Sequence, residues 1–155
     1  MSPTARYPVR RADPRDEAPL LLLAEETLKP LAGAAGHPER YRREDVLALL
    51  ERAEVYVAEA PGGPAGFAAV ETEGDALCIR CLCVSPAHEA EGVARELIAW
   101  VEGLAVSRGL ARLCARVPAG DRPSDHLYSG QGFTAAPGAD PETVVFTRVL
   151  PAREG

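Results

Sequence analysis

The stretch Leu82-Cys83-Val84-Ser85-Pro86-Ala87-His88-Glu89-Ala90-Glu91-Gly92-Val93-Ala94-Arg95-Glu96-Leu97-Ile98 decides how the rest of the chain is read. An apolar strand breaks at Pro86, and a turn containing Gly92 opens an amphipathic helix. Helix starts carry unpaired backbone N–H groups and the positive end of the helix dipole, so a phosphate can approach the backbone where residue 92 has no side chain. Glu89 and Glu91 put two carboxylates beside that anion site.

Working outward, residues 77–84 are apolar at nearly every position and read as a central strand buried on both faces. In the helix that follows, Val93, Leu97, Val101 and Leu104 fall on one stripe, with Ala94, Ile98 and Ala105 beside it. Arg108-Gly109 supplies the stop. Residues 110–117 form the next buried strand, so strand, helix and strand make a βαβ unit with parallel strands.

The N-terminal part reads as a strand at 7–11, with Val9 its clearest apolar contact, then a helix capped by Asp13 or Asp16 that runs through Leu20-Leu21-Leu22-Leu23 to about Leu28. Lys29-Pro30 is expected to end it, and 31–38 to be a loop. Val46, Leu47, Leu49, Leu50 and Ala53 recur at helical spacing, predicting a helix over 43–53 whose other face, with Arg42, Arg43, Glu44 and Arg52, is solvated. Residues 54–59 and 66–71 read as a hairpin around Pro61-Gly62-Gly63-Pro64, and a turn at Glu73-Gly74-Asp75 leads to the central strand. Downstream, a short helix at 123–129 is expected to stop at Gly130. Gln131-Gly132-Phe133 then opens a last hairpin that returns along 143–150.

At 155 residues the chain fits one domain, with 46% hydrophobic and 26% charged residues. The net charge of −6 argues against a nucleic-acid partner. No apolar run approaches the ~20 residues that span a bilayer, so no membrane partner is expected. The start of the chain lacks the apolar segment of a signal peptide, and four cysteines fit a reducing compartment, so the cytoplasm is the expected location.

Three spaced motifs then stand together: Val84-x-Pro86 followed by Glu89-Ala90-Glu91-Gly92-Val93-Ala94; the helix ending in Arg108-Gly109; and Leu127-Tyr128-x-x-Gln131-Gly132-Phe133. Their combination resembles the GNAT superfamily of acyl-CoA-dependent N-acetyltransferases, in an element order that matches over residues 7–150. The resemblance implies an α/β (α+β mixed sheet) class. The fold would be the GNAT acyl-CoA N-acyltransferase fold, a mostly antiparallel central sheet with one parallel βαβ unit and flanking helices, in one domain over 1–155.

The resemblance also implies site residues. The family cradles the pyrophosphate of acetyl-CoA on backbone amides of a motif that falls on Glu89, Gly92 and Ala94, so the amides of Ala90, Glu91, Gly92, Val93, Ala94 and Arg95 become the expected cofactor site. Gly92 and Ala94 conform, whereas Glu89 stands where the family has Gln or Arg. Backbone groups of Leu82, Cys83 and Val84 are implied to pair with the pantetheine arm, one N–H polarising the thioester carbonyl. Tyr128 is implied to be the general acid for the departing thiolate, as a phenol neutral at pH 7 can be. Asp121 and Ser124 stand where the family commonly has Asn and Ala; Asp121 either touches the cofactor or simply caps a helix.

No carboxylate lies on residues 77–84, so Glu71 and Glu73 near the preceding turn are the nearest candidates for the base that takes the amine proton, with Glu71 assigned that role and His126 behind them. Cys78, Cys81, Cys83, Cys114 and His88 are soft donors, but alternation sends Cys78 to the opposite face from Cys81 and Cys83, and all four cysteines read as core; no metal is expected. The implied activity is transfer of an acetyl group from acetyl-CoA to a primary amine, of a small molecule or a peptide, by direct attack in a ternary complex. The alternative is a catalytically degenerate module of the same fold that binds CoA weakly or only a protein partner. The family often forms homodimers, so a homodimer is a further expectation.

Overall fold

The structure is a computed structural model and describes residues 7–89, 91–137 and 141–151. Its elements are β1 (Val9–Arg11), α1 (Glu17–Ala34), α2 (Arg43–Arg52), β2 (Glu54–Ala60), β3 (Gly63–Glu73), β4 (Ala76–Val84), α3 (Val93–Ser107), β5 (Arg112–Pro118), α4 (Arg122–Gly130), β6 (Thr134–Pro137) and β7 (Thr143–Val149). The strands form a seven-stranded mixed sheet in the order β1-β2-β3-β4-β5-β7-β6, flanked by helices. β4 and β5 are parallel, joined through α3 as the sequence predicts, while β1–β2, β5–β7 and β6–β7 are antiparallel.

The chain divides into two compact units interleaved in sequence: Met1–Ala69 with Leu82–Trp100, and Val70–Cys81 with Val101–Gly155. In the first, Leu20, Leu21, Leu23 and Ala24 of α1 and Val55, Val57 and Phe67 of the strands are buried, and α1 packs against α2. Gly66 on β3 makes room for α3: a Cβ built there would lie 2.6 Å from the Cys83 carbonyl oxygen, 3.0 Å from Val93 and 3.3 Å from Leu97. At the other end of this stretch of α3, the Trp100 ring lies 5.9 Å from that of Tyr56, with 42% of Trp100 exposed. In the second unit Leu77, Ile79, Val101, Ala105, Leu113, Ala115, Tyr128, Phe133 and Phe146 are all buried.

Several expected boundaries move. α1 does not end at Lys29-Pro30; it runs through Pro30 to Ala34. A proline removes one intrahelical donor, and the Ala-rich turn behind it resumes the bonding. The stop is Gly36, at φ +82°, where the Gly36 and His37 N–H groups donate to the Gly33 and Ala32 carbonyls in the paired bonds of a Schellman motif. β1 begins at Val9, and the well-buried residue of that segment is Tyr7 rather than Val9. The hairpin loop is only Pro61-Gly62, so β3 extends to Glu73, which is a strand residue and not part of the turn. β5 starts at Arg112, because Leu110 closes α3 by donating to Ala105 and Ala111 donates to Asp75. Cys81 is half-buried rather than core; Cys78, Cys83 and Cys114 are buried. The arginine-bearing face of α2 is solvated as expected.

Candidate active site

In the first unit β4 ends at Val84, and the Ser85 N–H stays bonded to the Ala65 carbonyl at 2.7 Å. Pro86–His88 forms one 3-10 turn, after which the backbone bends until Gly92, at φ +85°, turns it into α3. Only glycine takes this left-handed conformation without strain, which is why the anion-sized turn needs it. The Glu96 N–H donates to the Gly92 carbonyl at 3.0 Å and so ties the first turn of α3 to the glycine. The N–H groups of Val93 and Arg95, at the positive end of the helix, have no backbone acceptor among the described residues. Leu82 and Val84 are half-buried, Cys83 is buried, and Arg95 is exposed. Ala90, also expected in the cradle, lies outside the described residues.

The two carboxylates part ways. Glu89 is exposed to solvent at the end of the 3-10 turn. Glu91 is drawn back into the protein: the Tyr7 hydroxyl donates to its Oε2, and His88 Nδ1 lies 3.0 Å from the same atom. The Tyr7 ring meets His88 edge-on at 5.4 Å, and the Tyr7 N–H donates to Glu96 Oε2 at 3.2 Å. Sequence reading missed this cluster, since Tyr7 and Glu91 are 84 positions apart and no local pattern links them.

In the second unit the Leu-Tyr-x-x-x-Gly-Phe segment resolves into a helix terminus. The Phe133 N–H donates to the Tyr128 carbonyl at 3.0 Å and the Gly132 N–H to the Ser129 carbonyl at 3.2 Å, with Gly132 at φ +86°. This is a Schellman motif whose stop is Gly132, not Gly130, which remains the last helical residue. The Tyr128 ring, buried, contacts Phe133 at 5.2 Å and Phe146 at 5.6 Å.

Asp121 caps α4. Its Oδ1 accepts from the Ser124 N–H at 3.1 Å and its Oδ2 from the Ser124 hydroxyl at 2.7 Å, so these two candidate cofactor residues are bonded to each other. Glu71 accepts from Arg80 at 3.4 Å, and Glu73 from Arg116 at 2.7 Å. Hydrogen bonding by the Arg116 guanidinium holds the Glu73 carboxyl below its ordinary value, against a smaller opposing effect of burial. His126 is exposed. A cleft of about 260 Å³ in the first unit, walled by Asp13, Asp16, Leu50 and Glu51 among others, is lined by none of the expected site residues. Among the described residues no group of three or more His, Cys, Asp or Glu is arranged to hold a metal ion. No helix among them is long and apolar enough to cross a membrane.

No curated protein sequence matches this chain. Among solved structures, the PaiA N-acetyltransferase of Thermoplasma acidophilum, in complex with coenzyme A, superposes with a TM-score of 0.79 at 16% identity, covering 94% of this chain and 100% of its own. An acetyltransferase of Thermus thermophilus gives 0.74 at 20% identity over 94% and 98%. The ribosomal-protein-S18-alanine N-acetyltransferase of Escherichia coli gives 0.70 at 19% identity over 96% of each chain. These likenesses establish the fold. The sequence model of the acetyltransferase (GNAT) domain matches residues 51–135, from the end of α2 into β6 and across β4, the Gly92 turn and α4. With more than half of its residues matched to that domain, the chain belongs to the GNAT acetyltransferase family.

Proposed function

We propose that the protein is an N-acetyltransferase that moves the acetyl group of acetyl-CoA to a primary amine by direct attack. The observation that carries this reading is the left-handed Gly92 at the start of α3, immediately after β4, with the Val93 and Arg95 amides free of backbone acceptors among the described residues. The pyrophosphate takes the amides of this first helical turn. Backbone groups of Leu82, Cys83 and Val84 hold the pantetheine arm and polarise the thioester carbonyl. The amine nitrogen attacks that carbon, the C–S bond breaks, and the thiolate takes a proton from the Tyr128 hydroxyl, while the amine proton passes to Glu71 directly or through water. Support for acyl-CoA use comes from the coenzyme A bound by the Thermoplasma relative.

The cradle tolerates its acidic residues for two separate physical reasons. Glu91 is turned toward Tyr7 and His88, and Glu89 stands in solvent, where its charge is screened within about 8–10 Å. The test is calorimetry with acetyl-CoA, followed by a panel of primary amines with thiol release as readout. Micromolar binding and amine-dependent thiol release are expected. Absence of binding would favour the degenerate module instead.

A further inference from the structure

Cys78 on β4 and Cys114 on β5 are direct Cα partners across two parallel strands, so their side chains leave the sheet on the same face. Both residues are buried, in one small cluster with Ala76 and the partly buried Val145. Neighbouring strands lie about 4.7–4.9 Å apart, inside the roughly 4.4–6.8 Å window of Cα separations that a disulfide spans. Arg112 and Arg116 sit two residues either side of Cys114 on its face, and Arg116 donates to Glu73 at 2.7 Å. The Cys78 thiol donating to the Cys114 sulfur, helped by the Arg116 charge, lowers the Cys114 thiol from its ordinary value against the opposing effect of burial. The same pairing pushes Cys78 up.

We propose that Cys78 and Cys114 form a reversible, peroxide-sensitive disulfide. The Cys114 thiolate attacks one oxygen of hydrogen peroxide, the O–O bond breaks, and a sulfenic acid and hydroxide result, with the sulfur oxidised by two electrons and the peroxide reduced. The Cys78 sulfur then attacks the sulfenyl sulfur; the S–O bond breaks and the oxygen leaves as water. Two thiols and one peroxide give one disulfide and two waters. A packing role alone needs no matched pair of sulfurs; an aliphatic residue would fill either position. The bond would join β4 to β5 one residue pair before their shared register ends at Ile79 and Ala115. This proposal is independent of acetyl transfer.

The test uses the intact wild-type protein. Treatment with hydrogen peroxide should remove two hydrogens from the mass, and dithiothreitol should restore them. Trypsin cuts after Arg80, Arg112 and Arg116, so Cys78, the Cys81/Cys83 pair and Cys114 leave on three different peptides. The expected cross-link joins the peptide ending at Arg80 to Leu113-Cys114-Ala115-Arg116. In Cys78→Ser, a dimedone adduct at Cys114 is expected where wild type shows the cross-link. No mass loss under native conditions, or a cross-link that runs through Cys81 or Cys83, would overturn the proposal.

Discussion

Tyr128 and Phe133 hold each other twice: the Phe133 N–H closes the end of α4 on the Tyr128 carbonyl at 3.0 Å, and their rings meet edge to face at 5.2 Å. A residue proposed to donate a proton is thus also a structural member of a helix terminus. The two roles separate by substitution, because only one of them uses the hydroxyl.

Tyr128→Phe keeps the ring, so thermal stability should stay within about 1 kcal/mol of wild type. Loss of the acid should lower kcat on a responsive amine by roughly 10²–10⁴-fold. Phe133→Ala should instead cost about 3–5 kcal/mol by emptying a buried site. Melting curves and steady-state kinetics on both variants check this; an unchanged kcat in Tyr128→Phe would remove it as the acid.

Two glycines predict contrasting costs. Gly92→Ala meets no atom within 4 Å of its new Cβ, so its penalty is that of the left-handed backbone alone, about 1 kcal/mol. Gly66→Ala drives a methyl to 2.6 Å from the Cys83 carbonyl, and overpacking of this kind costs about 1–3 kcal/mol or more. Urea titration of each variant should rank Gly66→Ala as the more damaging, while acetyl-CoA affinity should suffer more in Gly92→Ala than its stability loss suggests.

Removing the hydroxyl in Tyr7→Phe takes one donor from the Glu91 carboxylate, which His88 still contacts, and so weakens the hold that keeps its charge turned away from the proposed pyrophosphate site. Losing a hydrogen bond to a charged group is worth about 1.5–3 kcal/mol, so acetyl-CoA binding should weaken by about tenfold or more. Glu89→Arg, on an exposed side chain, should tighten binding only a few fold, in keeping with about 0–1 kcal/mol for a solvated pair. Calorimetry at one ionic strength compares them.

The Glu73–Arg116 pair predicts a dependence on acid. Its carboxyl is held below the ordinary value of 4.5 in the folded protein, so the pair's contribution is complete above the unfolded value and fades as pH falls through the lower folded one. Glu73→Gln should therefore be less stable than wild type by up to about 1 kcal/mol at pH 7. That gap should close in strong acid. Denaturant midpoints measured down the pH series test it; a gap that widens in acid would contradict the assignment.

Periodicity and turn chemistry make most of the fold legible. The stripe Val93, Leu97, Val101 is buried, and the parallel pairing of β4 with β5 follows from a strand, a helix and a strand. The boundaries that differ do so where a conspicuous residue competes with a quieter one. Pro30 reads as a stop, yet a helix loses one bond there and ends only where Gly36 permits the left-handed closure. Gly130 reads as the stop of α4, but the closing bonds place that role at Gly132. Of the candidate site, the Gly92 turn and the Tyr128 segment are legible because each is local. The engagement of Glu91 by Tyr7 and His88 is set by tertiary packing, and residue types carry no sign of it.

The pairing of Trp100 with Tyr56 also makes the molecule spectroscopically convenient. Trp100 is the chain's sole tryptophan and belongs to the first unit, as do Tyr7, Tyr41 and Tyr56, whereas Tyr128 is the only tyrosine of the second. Selective excitation of the indole therefore follows the melting of one unit, and circular dichroism follows both. Coincident transitions would mean that the interleaved units unfold as one cooperative body; separated ones would give each its own free energy.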